Sequence, residues 1–208
     1  MKEYHKIRWI YRFDEKTHLP IQEIDEYFVP LKDMKWIFTE KIDWTNIRVV
    51  WDWHKVEFYG RTDNAQLPSP LMNKLKDYFI EEIFEQNFQD MPVTLYGEWY
   101  WGKIQHWTRD YLDTEDFILF DVEIGWVYLE RENVDGIATK LWLKSVPIIL
   151  EWTLLDWINW VENLKIKVNQ QSKEIMEWLV WTPVWWYLDR LWHRIIVKIK
   201  QEHFKTKI

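Results

Sequence analysis

The sequence predicts an α+β fold of antiparallel sheets with peripheral helices. Three observations carry that expectation. Most apolar runs are short and rich in Val, Ile, Phe, Tyr and Trp, which fit a pleated, half-buried surface. Turn-length polar stretches separate them, which favours antiparallel neighbours. A single long segment, Leu71 to Phe88, shows clear helical spacing, with Leu71, Leu75, Phe79 and Ile83 on one stripe beside Tyr78 and Phe84.

The elements follow in order. Residues 1–35 mix short apolar runs with charges, and Pro20 and Pro30 punctuate them. Trp36–Phe38 and Ile47–Trp51 read as strands on either side of a polar loop that carries Lys41. Val56-Glu57-Phe58-Tyr59 alternates as a strand and ends at Gly60-Arg61-Thr62-Asp63-Asn64. Pro68-Ser69-Pro70 is a turn before the long helix. Val93–Tyr96 reads as a strand that stops at Gly97-Glu98, with Tyr96 to Gly102 as a loop. Asp113, Glu115 and Asp116 read as a solvated acidic loop. Phe117–Ile124 is a largely buried strand, and Asp135–Trp142 and Leu154–Leu164 are short helices. Ser172 to Glu177 leads into Leu179-Val180, and Ile195–Ile199 is the last strand. With no repeat, linker or low-complexity segment, residues 1–208 are expected to form a single domain without a separate C-terminal one.

Composition narrows the functional classes. The absence of cysteine excludes disulfides, thiolate metal sites and a cysteine nucleophile. No apolar run approaches the roughly 18 residues of a membrane helix, and Met1 to Arg12 lacks the apolar centre of a signal peptide. A cytoplasmic protein without membrane contact, and a monomer, is the expectation. The net charge of −7 argues against a nonspecific nucleic-acid coat. The last fifteen residues are nevertheless basic, with Arg194, Lys198, Lys200, Lys205 and Lys207 against Glu202. The six histidines are scattered, without metal-ligand spacing.

The chemistry-bearing stretch is Glu40-Lys41-Ile42-Asp43-Trp44-Thr45-Asn46. A lysine at a strand end among carboxylates is the layout of a covalent lysine nucleophile. The amine attacks phosphorus only when neutral, and nearby cations favour that form. Lys198 and Lys200, two apart on a strand, share a face and would supply those cations while neutralising phosphate charge. Taken singly, each residue has a plainer reading. Lys41 would be a surface lysine paired with Glu40 or Asp43, Lys198-x-Lys200 the wet face of an edge strand, Phe120 plain core, Glu98 and Glu177 surface acids, and Arg61 part of a turn-capping ion pair.

The order of these pieces is more specific than any one of them. Glu40-Lys41-Ile42-Asp43-Trp44-Thr45-Asn46 resembles motif I of the ATP-dependent RNA ligases, Glu-Lys-x-x-Gly-Thr-Asn, within the covalent lysine nucleotidyltransferases. Gly60-Arg61-Thr62 resembles motif Ia, Leu95-Tyr96-Gly97-Glu98 motif III, Leu119-Phe120-Asp121 motif IIIa, Glu177-Trp178-Leu179-Val180 motif IV and Ile196-Val197-Lys198-Ile199-Lys200 motif V. The resemblance implies the nucleotidyltransferase (adenylation) fold of the ligases, of the nick-sealing and RNA-editing type. It implies that Lys41 takes up AMP from ATP, with Glu40 and Asn46 beside it as nucleotide contacts. Arg61 would contact phosphate, Glu98 the ribose, Phe120 the adenine, Lys198 and Lys200 the α-phosphate, and Glu177 a catalytic Mg²⁺, or Mn²⁺ in its place. The implied partners are RNA ends or a nicked duplex, and the implied roles RNA repair or related phage-like functions. A DNA ligase, a capping-type enzyme and a catalytically dead nucleotide- or RNA-binding module are the alternatives.

One feature of composition cuts across this pattern. There are 18 Trp and 5 Gly, where average usage of about 7% would give roughly fifteen glycines. Trp44 and Trp178 stand at motif glycines, and Trp99 and Trp101 crowd the Glu98 segment. Trp51-Asp52-Trp53, Trp185-Trp186 and Leu191-Trp192-His193 lie where turns are expected, and turns favour glycine. UGA is read as glycine in some bacterial lineages and as tryptophan in others. Many of these tryptophans are therefore expected to stand for glycine, with Trp36, inside an apolar run, the best candidate for a genuine one.

Overall fold

Short apolar runs build two larger sheets and one two-stranded sheet among the described residues. The computed structural model describes residues 3–5, 7–17, 20–42, 44–100, 115–159, 178–184, 188–189 and 194–200. The chain runs β1 (Arg8–Trp9), β2 (Tyr11–Phe13), β3 (Pro20–Ile24), β4 (Lys35–Glu40), β5 (Thr45–Trp51) and β6 (Val56–Tyr59). Helices α1 (Ser69–Tyr78) and α2 (Glu81–Phe88) precede β7 (Val93–Tyr100), β8 (Asp116–Ile124) and β9 (Val127–Tyr128). Then come α3 (Arg131–Lys140), β10 (Lys144–Ser145), β11 (Ile148–Thr153), β12 (Trp178–Pro183) and β13 (Val197–Lys200). The chain is thus α+β and mostly antiparallel. Among the described residues the exceptions are two short parallel pairings, β1 with β13 and β10 with β8.

Two compact units result. The first comprises Met1–His5 and Ile42–Val146, the second Lys6–Lys41 and Pro147–Ile208. In the first, strands follow the order β10-β8-β7-β5-β6, with β9 against β8. One face of this sheet carries Ile47, Val49, Trp51, Val93, Leu95, Phe117, Leu119 and Val122, buried with α1–α3 residues such as Leu75, Phe84, Val134 and Ile137. The period of two along a strand puts Asn46, Arg48, Tyr96 and Glu98 on the opposite face.

In the second unit the order is β1-β13-β12-β4-β11. Its core gathers Trp36 and Phe38 of β4, Trp181 of β12, Val197 of β13 and Trp157. β2 and β3 form a small hairpin of their own. Residues 154–159 are helical, and the rest of the helix expected to Leu164 lies outside the described residues.

Several expected boundaries move. The helix expected over Leu71–Phe88 is two helices, broken at Phe79 and Ile80. Phe79 turns extended (φ −104°, ψ 94°) because its ring is buried between Phe58, Phe84 and Phe117. The strand expected to stop at Gly97 continues to Tyr100. Gly97 is a packing residue rather than a turn, since a Cβ there would meet the Phe117 ring at 2.0 Å. The short helix begins at Arg131 and ends at Lys140. Asp116 is the first residue of β8, tied to Tyr78, Tyr100 and Lys144, and Glu115 is paired with Lys74, so neither is a free solvated acid.

Tryptophans divide by environment. Trp36 and Trp51 are core residues whose indole N–H groups donate to the carbonyls of Leu31 (3.2 Å) and Gln89 (3.0 Å). Trp51 therefore ends a strand and is not a turn residue. Trp99 lies within β7, buried, and donates to Glu115. Trp44, Trp53, Trp126 and Trp142 are exposed. Trp101, Trp185, Trp186 and Trp192 lie outside the described residues.

Candidate nucleotidyl-transfer residues

In the first unit, the candidate residues sit on the sheet face turned away from the helices. Asn46 and Glu98 are directly opposite one another on β5 and β7. Asn46 Nδ2 donates to Glu98 Oε1 at 3.3 Å. Glu98 is buried. It lies inside β7, not at its end as the sequence suggests. Asn46 Oδ1 is buried and has no hydrogen-bond partner among the described residues.

Phe120 occupies an irregular point on β8. The register runs Tyr96↔Asp121 and then Gly97↔Leu119, so Phe120 is the extra residue of a bulge. A bulge re-aims the side chain it carries. The half-buried Phe120 ring packs beside Ile42, Tyr100, Ile118 and Val146.

Arg61 is exposed, two residues beyond the last residue of β6. No described contact joins it to Asn46, Glu98 or Phe120. A residue the sequence reading missed holds its loop. Arg48 is fully buried on β5, donates from Nε to the Gly60 carbonyl at 2.8 Å, and bonds Asp63 at 2.7 Å. Its guanidinium also lies 5.4 Å from the Tyr59 ring centroid. The signal was a charged residue inside the apolar run Ile47-Arg48-Val49-Val50, which a strand accepts only on a face with polar partners. Arg48 thereby fixes both sides of the Gly60–Asp63 turn.

In the second unit, β12 lies between β4 and β13. Leu179 pairs with Glu40 on one side and Ile199 on the other, and Val180 likewise with Thr39 and Lys198. Lys41 follows Glu40, so it leaves β4 at the sheet end where β12 begins at Trp178 and β13 finishes at Lys200. Lys41, Lys198 and Lys200 thus belong to one end of one sheet. The Lys198 ammonium lies 4.3 Å from the Trp9 ring centroid, a cation–π contact that holds the stem of the side chain. Glu177 lies outside the described residues.

Glu40 alternates onto the core side of β4 with Trp36 and Phe38. It is buried, and its Oε2 has no hydrogen-bond partner among the described residues. Burial holds its carboxyl above the usual carboxylate range. An unpartnered carboxylate oxygen of this kind suits a hard cation, which Mg²⁺ and Mn²⁺ are. Among the described residues, no group of three or more His, Asp or Glu forms a ready cage.

The RNA ligase family profile matches residues 34–200, a span that runs from the start of β4 to the last residue of β13. The chain belongs to the RNA ligase family. Solved structures agree on the fold. An archaeal ATP-dependent RNA ligase superposes with TM-score 0.62 at 14% identity, over 98% of this chain and 49% of that one. A Naegleria gruberi RNA ligase mutant with ATP and Mn gives 0.63 at 15%, over 98% and 57%. A putative ATP-dependent DNA ligase from Aquifex aeolicus gives 0.60 at 15%, over 98% and 50%. The chain therefore spans about half the length of these ligases. No curated protein sequence matches it.

Proposed function

We propose that this RNA ligase family member is an ATP-dependent ligase that joins RNA 3′-hydroxyl and 5′-phosphate ends through a lysyl-AMP intermediate. We also propose that the two units act as one nucleotidyltransferase domain. The observation that carries the reading is Lys41, at the motif position and at the sheet end where β13 brings Lys198 and Lys200.

The Lys41 amine attacks the α-phosphorus of ATP. A P–N bond forms, the bond to the β-phosphate oxygen breaks, and pyrophosphate leaves as the amine loses its proton. Lys198 and Lys200 offset charge on the α-phosphate and favour the neutral amine. Phe120 stacks on the adenine, a contact worth about 1–3 kcal/mol, and Asn46 and Glu98 receive the ribose hydroxyls. The RNA 5′-phosphate then takes AMP from Lys41, Arg61 holding that phosphate, and the 3′-hydroxyl displaces AMP to seal the strand. A bound Mg²⁺ or Mn²⁺, held by Glu177 with Glu40 as the nearest described carboxylate in sequence to Lys41, would neutralise phosphate charge.

Intact-mass spectrometry after incubation with ATP and Mg²⁺ tests the first step. The expected result is a mass increase of one AMP that Lys41→Ala abolishes. Persistence of the adduct in Lys41→Ala overturns the assignment of the nucleophile. Absence of any adduct, even with Trp44→Gly and Trp178→Gly introduced, overturns the ligase reading in favour of a noncatalytic binding module. Nicked RNA against nicked DNA as the acceptor separates the RNA reading from a DNA ligase.

A further inference from the structure

We infer that residues 53, 126 and 142 are glycine in the protein as its own cell makes it, decoded from UGA. The inference stands independently of the ligase reading. Among the described residues, four that are not glycine have positive φ: Trp53 (65°), Gln89 (49°), Trp126 (73°) and Trp142 (55°). Three of the four are tryptophan, a bulky residue for which positive φ is a genuine outlier. Each of the three sits in a different backbone motif that asks for glycine.

Trp53 is the first residue of the two-residue loop between Asp52 and Lys55, whose backbones are hydrogen-bonded. It alone in that loop has positive φ, which glycine adopts at no steric cost, while the His54 and Lys55 amides donate to Asp52 Oδ1. Trp126 shares the β8–β9 hairpin loop with Gly125, and Ile124 pairs with Val127 across it. Both loop residues have positive φ, as a type I′ turn requires and as Gly-Gly supplies. Trp142 follows the C-cap of α3. Its N–H bonds the Thr139 carbonyl, and the Leu143 N–H bonds the Ala138 carbonyl. Those two bonds define a Schellman motif, whose left-handed residue is usually glycine. None of the three indoles is buried: they are 50%, 73% and 79% exposed. Packing therefore supplies no compensation for the backbone cost. Trp36 and Trp51 show the opposite pattern, buried in strands with their N–H groups bonded, and are genuine tryptophans.

The source gene and stability measurements on the expressed chain test this. UGA is expected at codons 53, 126 and 142 and UGG at codons 36 and 51. Trp126→Gly and Trp142→Gly should each raise the melting temperature by about 2–4 °C, while Trp36→Gly lowers it. UGG at the three positions overturns the inference, as does a fall in melting temperature for both glycine variants. So does tryptophan at these sites in peptides of the protein purified from its source cells.

A second inference rests on different contacts and on the proposed stacking role of Phe120. The geometry points to Tyr4 as the positioning residue for that ring. Because Phe120 is the unpaired residue of a bulge, the strand ladder does not fix its plane. Tyr4 meets it edge-on, with centroids 5.2 Å apart and planes at 79°. Tyr4 is itself held by a 2.9 Å hydrogen bond from its hydroxyl to buried Asp121, and by the rings of Tyr96 and Tyr128. Steady-state sealing of nicked RNA, in which Lys41 turns over, is measured in the parent chain or, if only that forms the adduct, in the chain carrying Trp44→Gly and Trp178→Gly. Tyr4→Ala should raise KM for ATP about tenfold, within the range of one lost stacking contact, with kcat nearly unchanged. Tyr4→Phe, which keeps the ring, should restore KM. An unchanged KM in Tyr4→Ala beside a raised KM in Phe120→Ala overturns the positioning role. An unchanged KM in Phe120→Ala overturns the stacking role itself.

Discussion

At the scale of the residue, Glu40 shows how motif and stability pull apart. Its carboxyl is buried, with one oxygen unpartnered among the described residues, so the charged form is disfavoured. A carboxyl whose folded pKa is raised stabilises the fold below its unfolded value of about 4.3. It loses that contribution as pH rises through the raised value. Glu40→Gln should therefore have a higher urea midpoint than the parent at pH 7, and the gap should close below about pH 4. A gap independent of pH would show that the residue is stabilised by something other than relief of charge burial. The sequence located Glu40 through the motif, but its burial depended on alternation with Trp36 and Phe38, which the motif does not reveal. Arg48 is the converse. It was visible as a charge among apolar residues, yet nothing in the sequence announced Gly60 and Asp63 as its partners.

At the scale of the element, β7 and β8 are matched by a single missing side chain. Gly97 lets the Phe117 ring lie against the β7 backbone, and an added Cβ would also approach the Ile118 carbonyl at 2.6 Å. Gly97→Ala should cost about 3 kcal/mol or more, because backbone on one side and an aromatic on the other cannot both give way. Phe117→Leu in the same chain should recover part of the loss, and a double-mutant cycle on urea midpoints reads the coupling. Strictly additive losses would contradict the packing account. Strand identities were largely legible here, since β6 alternates and β5 and β8 are short apolar runs buried for most of their length. The extension of β7 through Gly97 and the break at Phe79 were not legible. Both depend on where an aromatic from another element comes to rest, and a local window contains no such information.

At the scale of the whole molecule, ionisation sets an acid limit. Burial alone would raise Asp116, but hydrogen bonds from Lys144, Tyr78 and the Phe117 amide overcome it and hold its carboxyl below the usual range. Asp52 is also held low: partial burial opposes this, and the amides of Lys55 and His54 prevail. Glu115 is lowered chiefly by Lys74. A depressed folded pKa contributes stability that is present above the unfolded value, about 3.9 for Asp and 4.3 for Glu, and lost as pH falls through the folded value. Among the described carboxyls these three oppose Glu40, the one that is raised, so urea midpoints should hold near neutral pH and decline below about pH 4. Asp116→Asn should flatten that decline, and parallel curves for parent and variant would remove Asp116 from the account. The fold class and the order of the candidate residues along the chain could be read from the sequence because both are linear patterns. The pairing of Asn46 with Glu98, and the alignment of β4 and β13 through β12, required strands far apart in sequence to find one another.

The Phe117 ring over Gly97 also constrains how this gene can vary. A position that accepts only a hydrogen atom has no neutral amino-acid exchange, so every surviving change at codon 97 must be synonymous. Positions 53, 126 and 142 carry the same demand through φ rather than through contact. If UGA belongs to the glycine set, it lies one nucleotide from GGA, and all four codons can drift between the two spellings without the protein registering the change.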